Sequence, residues 1–362
     1  MRRDASKVCR NPARHPLEQR LGLHNQGSVH GWRPCATLIP MTPADVRHRF
    51  RGVFGFPITP FRKDLSLDLD ALALNVDEMS RHPFCALVAA GGTGELYSLT
   101  VAEILHVIRV TVEAAAGRMP VVAGVGFNTA LGARIARGAE KAGAGCLLLL
   151  PPYYSNAPED GLFDYYDAIA QASGLPLMVY SRDWAVFSPQ MVATLADRLP
   201  SLAAWKDGQG DARKYQRIMS YVGDRLAWLG GIGDDCVPAY FAIGVQAYTS
   251  SISNIAPKLS LELAEAGLAR DFVRLDHLMR RYVHPLYAIR DRVRGYEVAV
   301  MKTAMEILGM PAGPVRPPLT NCRPQDVEDI RKLMEVYREI IEERESGLSA
   351  ERSPAGAGRR SR

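Results

Sequence analysis

From residue 53 onward, short runs of β-branched and aliphatic residues alternate with amphipathic stretches, and the alternation repeats eight times. The runs are VFGFPI (53–58), CALVAAG (85–91), VVAGVG (121–126), CLLLLP (146–151), LMVYS (177–181), LAAWKD (202–207), AWLGG (227–231) and AYTSS (247–251). Unbroken apolar runs, rather than strict alternation, are what strands covered on both faces by crossover helices require. Helix starts are marked between them. Thr100 with Glu103 forms a capping box, Ser188 precedes Pro189 at a first helical position, and Asp211 and Asp234 are expected to cap the next two helices. Eight βα units over residues 50–268 predict an α/β fold, a (β/α)8 TIM barrel. No GxGxxG opens the first helix, which weighs against the doubly wound alternative.

Residues 269–345 carry no strand signal and are expected to form a helical annex. In 324–345 the residues Val327, Ile330, Leu333, Met334, Tyr337, Ile340 and Ile341 make one apolar stripe, the spacing of a helix packed on a neighbour. The proline-rich segment GMPAGPVRPPLTNCR (309–323) is expected to cross between annex helices in extended form.

Charge changes the picture at the ends of the chain. The net +5 comes from the termini: residues 1–40 hold seven Lys/Arg against Asp4 and Glu18, and 346–362 hold four Arg against Glu351, so the body between carries −3. A slightly acidic body argues against a nucleic-acid face, which needs clustered cations on the folded surface. Residues 1–45 are expected to be a disordered extension and 346–362 a disordered tail; the first forty lack the apolar core of a secretory signal. With 47% hydrophobic and 23% charged residues the composition excludes disordered, collagen-like and coiled-coil proteins. The six cysteines form no CxxC pair, and no stretch is apolar enough to span a membrane, so a cytoplasmic enzyme with free thiols is expected.

In such barrels chemistry sits at the C-terminal strand ends, and all eight histidines miss those windows, which weighs against a histidine-bound metal or a Ser-His-Asp triad. Of the lysines only Lys206 lies in a strand run. An amine in apolar surroundings is freed for Schiff-base formation with a keto group; the alternative is an internal ion pair with Asp207 or Glu95. Tyr180, at the end of the preceding strand, is within reach as a proton shuttle or is a packed residue with a satisfied hydroxyl. Gly91-Gly92-Thr93-Gly94-Glu95 follows the second strand. Such a turn offers backbone N–H groups and a hydroxyl to an anion, or is simply a tight connection. Arg182 is the candidate for a second substrate carboxylate, with an internal pair to Asp183 as its alternative and Arg316 as a weaker competitor.

AAGGTGE, VVAGVG, MVYS and AAWKDG at strands two, three, five and six resemble the dihydrodipicolinate synthase and N-acetylneuraminate lyase superfamily. WKDGQGD, WLGG, YTSSISNIAPK, AIRDRVRGY and AGPVRPPLT are similar to its 5-dehydro-4-deoxyglucarate dehydratase branch. The resemblance implies Lys206 as the imine-forming residue, Tyr180 as the shuttle and Thr93 as a carboxylate contact, with Gly92, Arg182, Gly230 and Ser250 as further substrate contacts. It implies a cofactor-independent, metal-free lyase acting on a small 2-keto sugar acid, releasing water and carbon dioxide to leave 2,5-dioxopentanoate, in a homotetramer or homodimer. The sequence departs from the superfamily at Gly92, where many members carry a hydroxyl but the dehydratase branch shares the glycine, and at Ser181-Arg182-Asp183 after the tyrosine; it departs from that branch at Gly233-Asp234-Asp235. An aldolase or synthase on another 2-keto acid and a catalytically silent keto-acid-binding barrel are the alternative readings.

Overall fold

Eight parallel strands close on themselves in sequence order, each joined to the next through a helical crossover, in a computed structural model that describes residues 41–153 and 156–350, with side chains described to residue 341. The strands are β1 Gly52–Gly55, β2 Ala86–Ala89, β3 Val121–Val125, β4 Cys146–Leu149, β5 Leu177–Ser181, β6 Leu202–Asp207, β7 Ala227–Gly230 and β8 Ala247–Ser250. Nearly every strand residue is buried, as the unbroken apolar runs require. Between them lie α2 Leu69–Met79, α3 Val101–Ala115, α4 Thr129–Lys141, α5 Glu159–Ala170, α6 Pro189–Arg198, α7 Ala212–Val222, α8 Val237–Ala242 and α9 Pro257–Leu268, after a first helix α1 Pro43–Arg49. Thr100 and Glu103 form the capping box of α3, Ser188 caps α6 above Pro189, and Asp211 caps α7.

Two local expectations are corrected and a third, the extended crossing between annex helices, is given a location. The extension assigned to 1–45 overlaps the fold: Thr42 and Asp45 make a capping box for α1, Val46 is fully buried, and Met41 packs against Gly145 just before β4. Residues 1–40 lie outside the described residues. Asp234 does not cap α8, which starts at Val237 without a side-chain cap; its carboxylate turns instead to the end of β8. The 309–323 segment is a strap on the barrel. Phe61 donates its N–H to the Ala312 carbonyl at 3.3 Å, and Gly313, with φ +68°, lies so close to the Phe61 carbonyl that no side chain fits.

The annex comprises α10 Phe272–Leu278, a π-helical turn Met279–Val283, α11 His284–Arg290, α12 Tyr296–Ile307 and α13 Pro324–Ala350. The last helix runs on past the boundary expected at 345, and the remainder of the tail lies outside the described residues. Ile330, Leu333, Met334, Tyr337 and Ile340 bury the predicted stripe, and the Tyr337 hydroxyl donates to the Tyr282 carbonyl at 3.0 Å. No described helix is long and apolar enough to cross a membrane.

Candidate active site

A cavity of about 470 Å³ opens at the C-terminal ends of the strands, a volume suited to a small metabolite. Side chains alternate across a strand, so Lys206 faces the barrel interior while Trp205 and Asp207 face the helices. Phe187 meets the Trp205 ring edge to face at 4.9 Å, and the Asp207 carboxylate accepts from the Tyr240 hydroxyl at 2.8 Å and from the Gly210 N–H at 3.1 Å. The Lys206–Asp207 ion pair is therefore not formed. Nor is one with Glu95, which pairs with Lys302 at 2.6 Å.

Lys206 is 4% exposed and lines the cavity. Tyr180 is its register partner on β5, and the lysine Nζ stands 3.6 Å from the Tyr180 ring centre and 4.8 Å from that of Phe56. Among the described residues it has no carboxylate partner. Burial, reinforced by the nearby Arg182 guanidinium and opposed by Asp207, holds the amine well below the usual lysine range. Space for it depends on Gly231, where a Cβ would overlap the Lys206 side chain.

The Tyr180 hydroxyl donates to the Gly231 carbonyl at 3.2 Å and accepts from Arg182 Nη1 at 2.9 Å. Burial raises the phenol, and Arg182 pulls the other way. Arg182 also stands 3.5 Å from Asp183 with its side chain 44% exposed. Both readings of Tyr180, shuttle and satisfied packed residue, thus draw on one geometry: a buried phenol inside the cavity, hydrogen-bonded to a guanidinium.

Gly92 and Thr93 form the cavity rim over β2. The loop doubles back tightly, with Ala90 and Glu95 both left-handed, and Glu95 N–H and Leu96 N–H close onto the Gly92 and Gly91 carbonyls. Such strain is retained at functional sites. Among the described residues the N–H groups of Gly92 and Thr93, both on the cavity rim, donate to no carbonyl, which leaves them free to meet an anion. A Cβ on Gly92 would meet nothing within 4 Å, so the space beside it is open.

One predicted contact is placed differently. Gly230 lies behind the cavity, packed so closely on the Tyr240 ring that no Cβ fits, and its neighbour Gly231 forms the wall. Ser250 lines the cavity, with its hydroxyl buried and occupied: it donates to Asp234, stands 2.8 Å from Ser260 and accepts from the Ser253 N–H. Asp234 also accepts from the Ser251 N–H at 3.1 Å and the Tyr287 hydroxyl at 3.3 Å, and burial raises its carboxyl above the usual range. Arg316 is 14% exposed, not on the surface, and is bonded to Glu103 outside the cavity.

Sequence reasoning missed one wall entirely. Tyr287, Arg290, Asp291, Glu297 and Val298, all from the annex, close the cavity on the β7–β8 side. Strand ends alone do not point to it, although AIRDRVRGY (288–296) holds Arg290 and Asp291 and is flanked by Tyr287 and Glu297. None of the described histidines lines the cavity, and among the described residues no group of three His, Cys, Asp or Glu side chains is placed to hold a metal ion.

Residues 49–336 match the dihydrodipicolinate synthetase family. A protein of Bradyrhizobium diazoefficiens named probable 5-dehydro-4-deoxyglucarate dehydratase is 38% identical over 297 residues, 81% of this chain and 95% of the relative. One of the same name from Methylobacterium radiotolerans is 41% identical over 297 residues, 81% of this chain and 98% of that one. Among solved structures, dihydrodipicolinate synthase from Oceanobacillus iheyensis superposes with a TM-score of 0.78 at 27% identity, covering 82% of this chain and 99% of that chain.

Proposed function

The chain belongs to the dihydrodipicolinate synthetase family, and on that premise we propose that it is a Schiff-base lyase that dehydrates and decarboxylates 5-dehydro-4-deoxyglucarate to 2,5-dioxopentanoate. The observation that carries this reading is the buried, unpaired amine of Lys206 stacked against a tyrosine whose hydroxyl meets Arg182. The amine adds to the ketone beside the substrate's first carboxylate and expels water, forming an iminium that serves as an electron sink. That carboxylate is held by the N–H groups of Gly92 and Thr93 and the Thr93 hydroxyl. Tyr180 carries the proton between the amine and the departing carbinolamine oxygen, with Arg182 stabilising its phenolate form. Loss of a proton from the adjacent methylene and of hydroxide from the next carbon releases water and leaves a conjugated iminium. The bond to the far carboxylate then breaks, its electron pair flows to the iminium and carbon dioxide departs. Reprotonation and hydrolysis return Lys206. Each turnover thus releases one water and one carbon dioxide, and the protonated imine does the work a metal or cofactor does elsewhere.

The partner this reading requires is a small 2-keto acid. Assembly into a homodimer or homotetramer, implied by the resemblance, is read by sedimentation velocity. The chemistry is tested by borohydride reduction during turnover, which turns the imine into a secondary amine that water cannot cleave. Wild-type protein should gain the mass of the reduced adduct at Lys206, and Lys206→Ala should stay unlabelled. Labelling of that variant at equal stoichiometry, or a chelator-induced loss of activity restored by a divalent metal, would overturn the reading.

A further inference from the structure

Arg290, at the end of α11, is 8% exposed, and an arginine so buried is ordinarily paired with a carboxylate. This one is not. Its Nη1 donates to the Ser251 hydroxyl at 3.0 Å, its guanidinium stacks 4.2 Å from the centre of the Tyr287 ring, and its Nε, fully buried, has no acceptor. Of five N–H donors, one is used among the described residues. Asp234, the nearest buried carboxylate in the network, is already occupied by Ser250, Ser251 and Tyr287. Asp235, Asp291 and Glu297 also line the cavity, and the charges of Asp234, Glu297 and Asp235 act on Arg290, yet none of these carboxylates is at ion-pair distance from it. A desolvated guanidinium with unused donors in a cavity wall is costly to keep unless a ligand completes it.

The position of the side chain says which part of a ligand that is. Lys206 fixes one end on β6, and Ser251 follows β8, two strands round the barrel, roughly 10 Å at ~4.8 Å per strand. A keto acid joined to Lys206 through its carbonyl and held at its first carboxylate by the Gly92–Gly94 loop extends across that gap toward the annex. Arg182, the other cation in the cavity, is engaged with the Tyr180 hydroxyl and Asp183.

We propose that Arg290 is the specificity-determining residue of this site, its guanidinium fork binding the second carboxylate of a six-carbon 2-keto dicarboxylate while Ser251 and Tyr287 hold it in place. The inference rests on the Schiff-base reading of Lys206, and its test separates the two. The probes are 2-oxoadipate, which places its far carboxylate as many carbons from the ketone as the proposed substrate does, and 2-oxohexanoate, its monocarboxylate of equal length. Borohydride trapping is titrated with each. Wild-type protein should be labelled at lower concentrations of 2-oxoadipate. Arg290→Gln should raise the half-saturating concentration of 2-oxoadipate by about 10- to 100-fold, the loss expected of a charge-assisted pair, and shift that of 2-oxohexanoate far less. Arg290→Lys keeps charge and stem, so it serves where the Gln variant does not fold; without the fork it should lose about 3- to 30-fold of the preference. Wild-type preference in either folded variant, equal damage to both keto acids, or transfer of the effect to Arg182→Gln would overturn the assignment. Absence of trapping with any keto acid in the wild type would instead overturn the Schiff-base reading.

Discussion

Arg182 stands close enough to Lys206 for its charge to act on the amine, and this gives Lys206 a pH signature. Protonation removes the nucleophile, so kcat/KM falls on the acid side as Lys206 gains its proton. Burial and the Arg182 charge both depress that titration. Arg182→Gln removes a positive neighbour, the Lys206 titration moves up, and the acid limb of kcat/KM should shift to higher pH; a pH–rate profile with the limb unmoved or lowered contradicts this. Tyr180→Phe keeps the ring against the lysine and deletes the hydroxyl, so kcat should fall by about 10² to 10⁴ with little loss of stability, measured by steady-state kinetics beside thermal melting. Lys206 and Tyr180 were legible because both stand at strand ends, where register alone makes them partners. Arg290 was not, since its place in the cavity depends on how the annex docks. The one-residue difference between Gly230 and Gly231 was also beyond reach, because only the exit of β7 decides which glycine faces Lys206.

Among the elements, the 309–323 strap ties the annex to the loop after β2. Lys302 on α12 pairs with Glu95 at 2.6 Å and donates to the Pro314 carbonyl at 2.8 Å, while the Arg316 N–H reaches Glu95 at 3.1 Å. Arg316 in turn chelates Glu103 in the first turn of α3, and that pairing holds the Glu103 carboxyl at about 2 from an ordinary 4.5. A depressed carboxylate contributes stability that is complete above its unfolded value and is lost as pH falls through its folded one. Arg316→Ala should therefore cost about 1.5–3 kcal/mol near neutrality, with the deficit shrinking as pH drops from 4.5 toward 2; urea midpoints across that range measure it. A deficit independent of pH would mean that Arg316 acts through its packing on Phe61 and its hydrogen bonds to the Leu65 and Ser98 carbonyls rather than through Glu103. The eight strands were legible from their apolar runs and three helix starts from their caps. The strap was legible as an extended crossing between annex helices, but prolines do not say what such a path lies on. Helix α1 was missed although Thr42-Pro43-Ala44-Asp45 spells its cap, since the basic residues before it drew the boundary too late.

Taken whole, the molecule is a barrel closed by its own last helices. Tyr337 on α13 is fully buried, with its ring 5.5 Å from that of Tyr282. Tyr337→Ala should cost about 3–5 kcal/mol in denaturant unfolding, by analogy with other large aromatic deletions. The acidic body and the eightfold repeat were readable from the chain; the annex was readable as helices but not as a wall of the site. That wall has a consequence for how the protein comes into being. Lys206, Tyr180 and the Gly92–Gly94 loop leave the ribosome well before Tyr287 and Arg290, and chains fold from the N-terminus as they are made. One apolar core joins barrel and annex, so the cavity is complete only once the last helices have been made and docked. If Arg290 reads the far carboxylate as proposed, selectivity is the last property the nascent chain acquires.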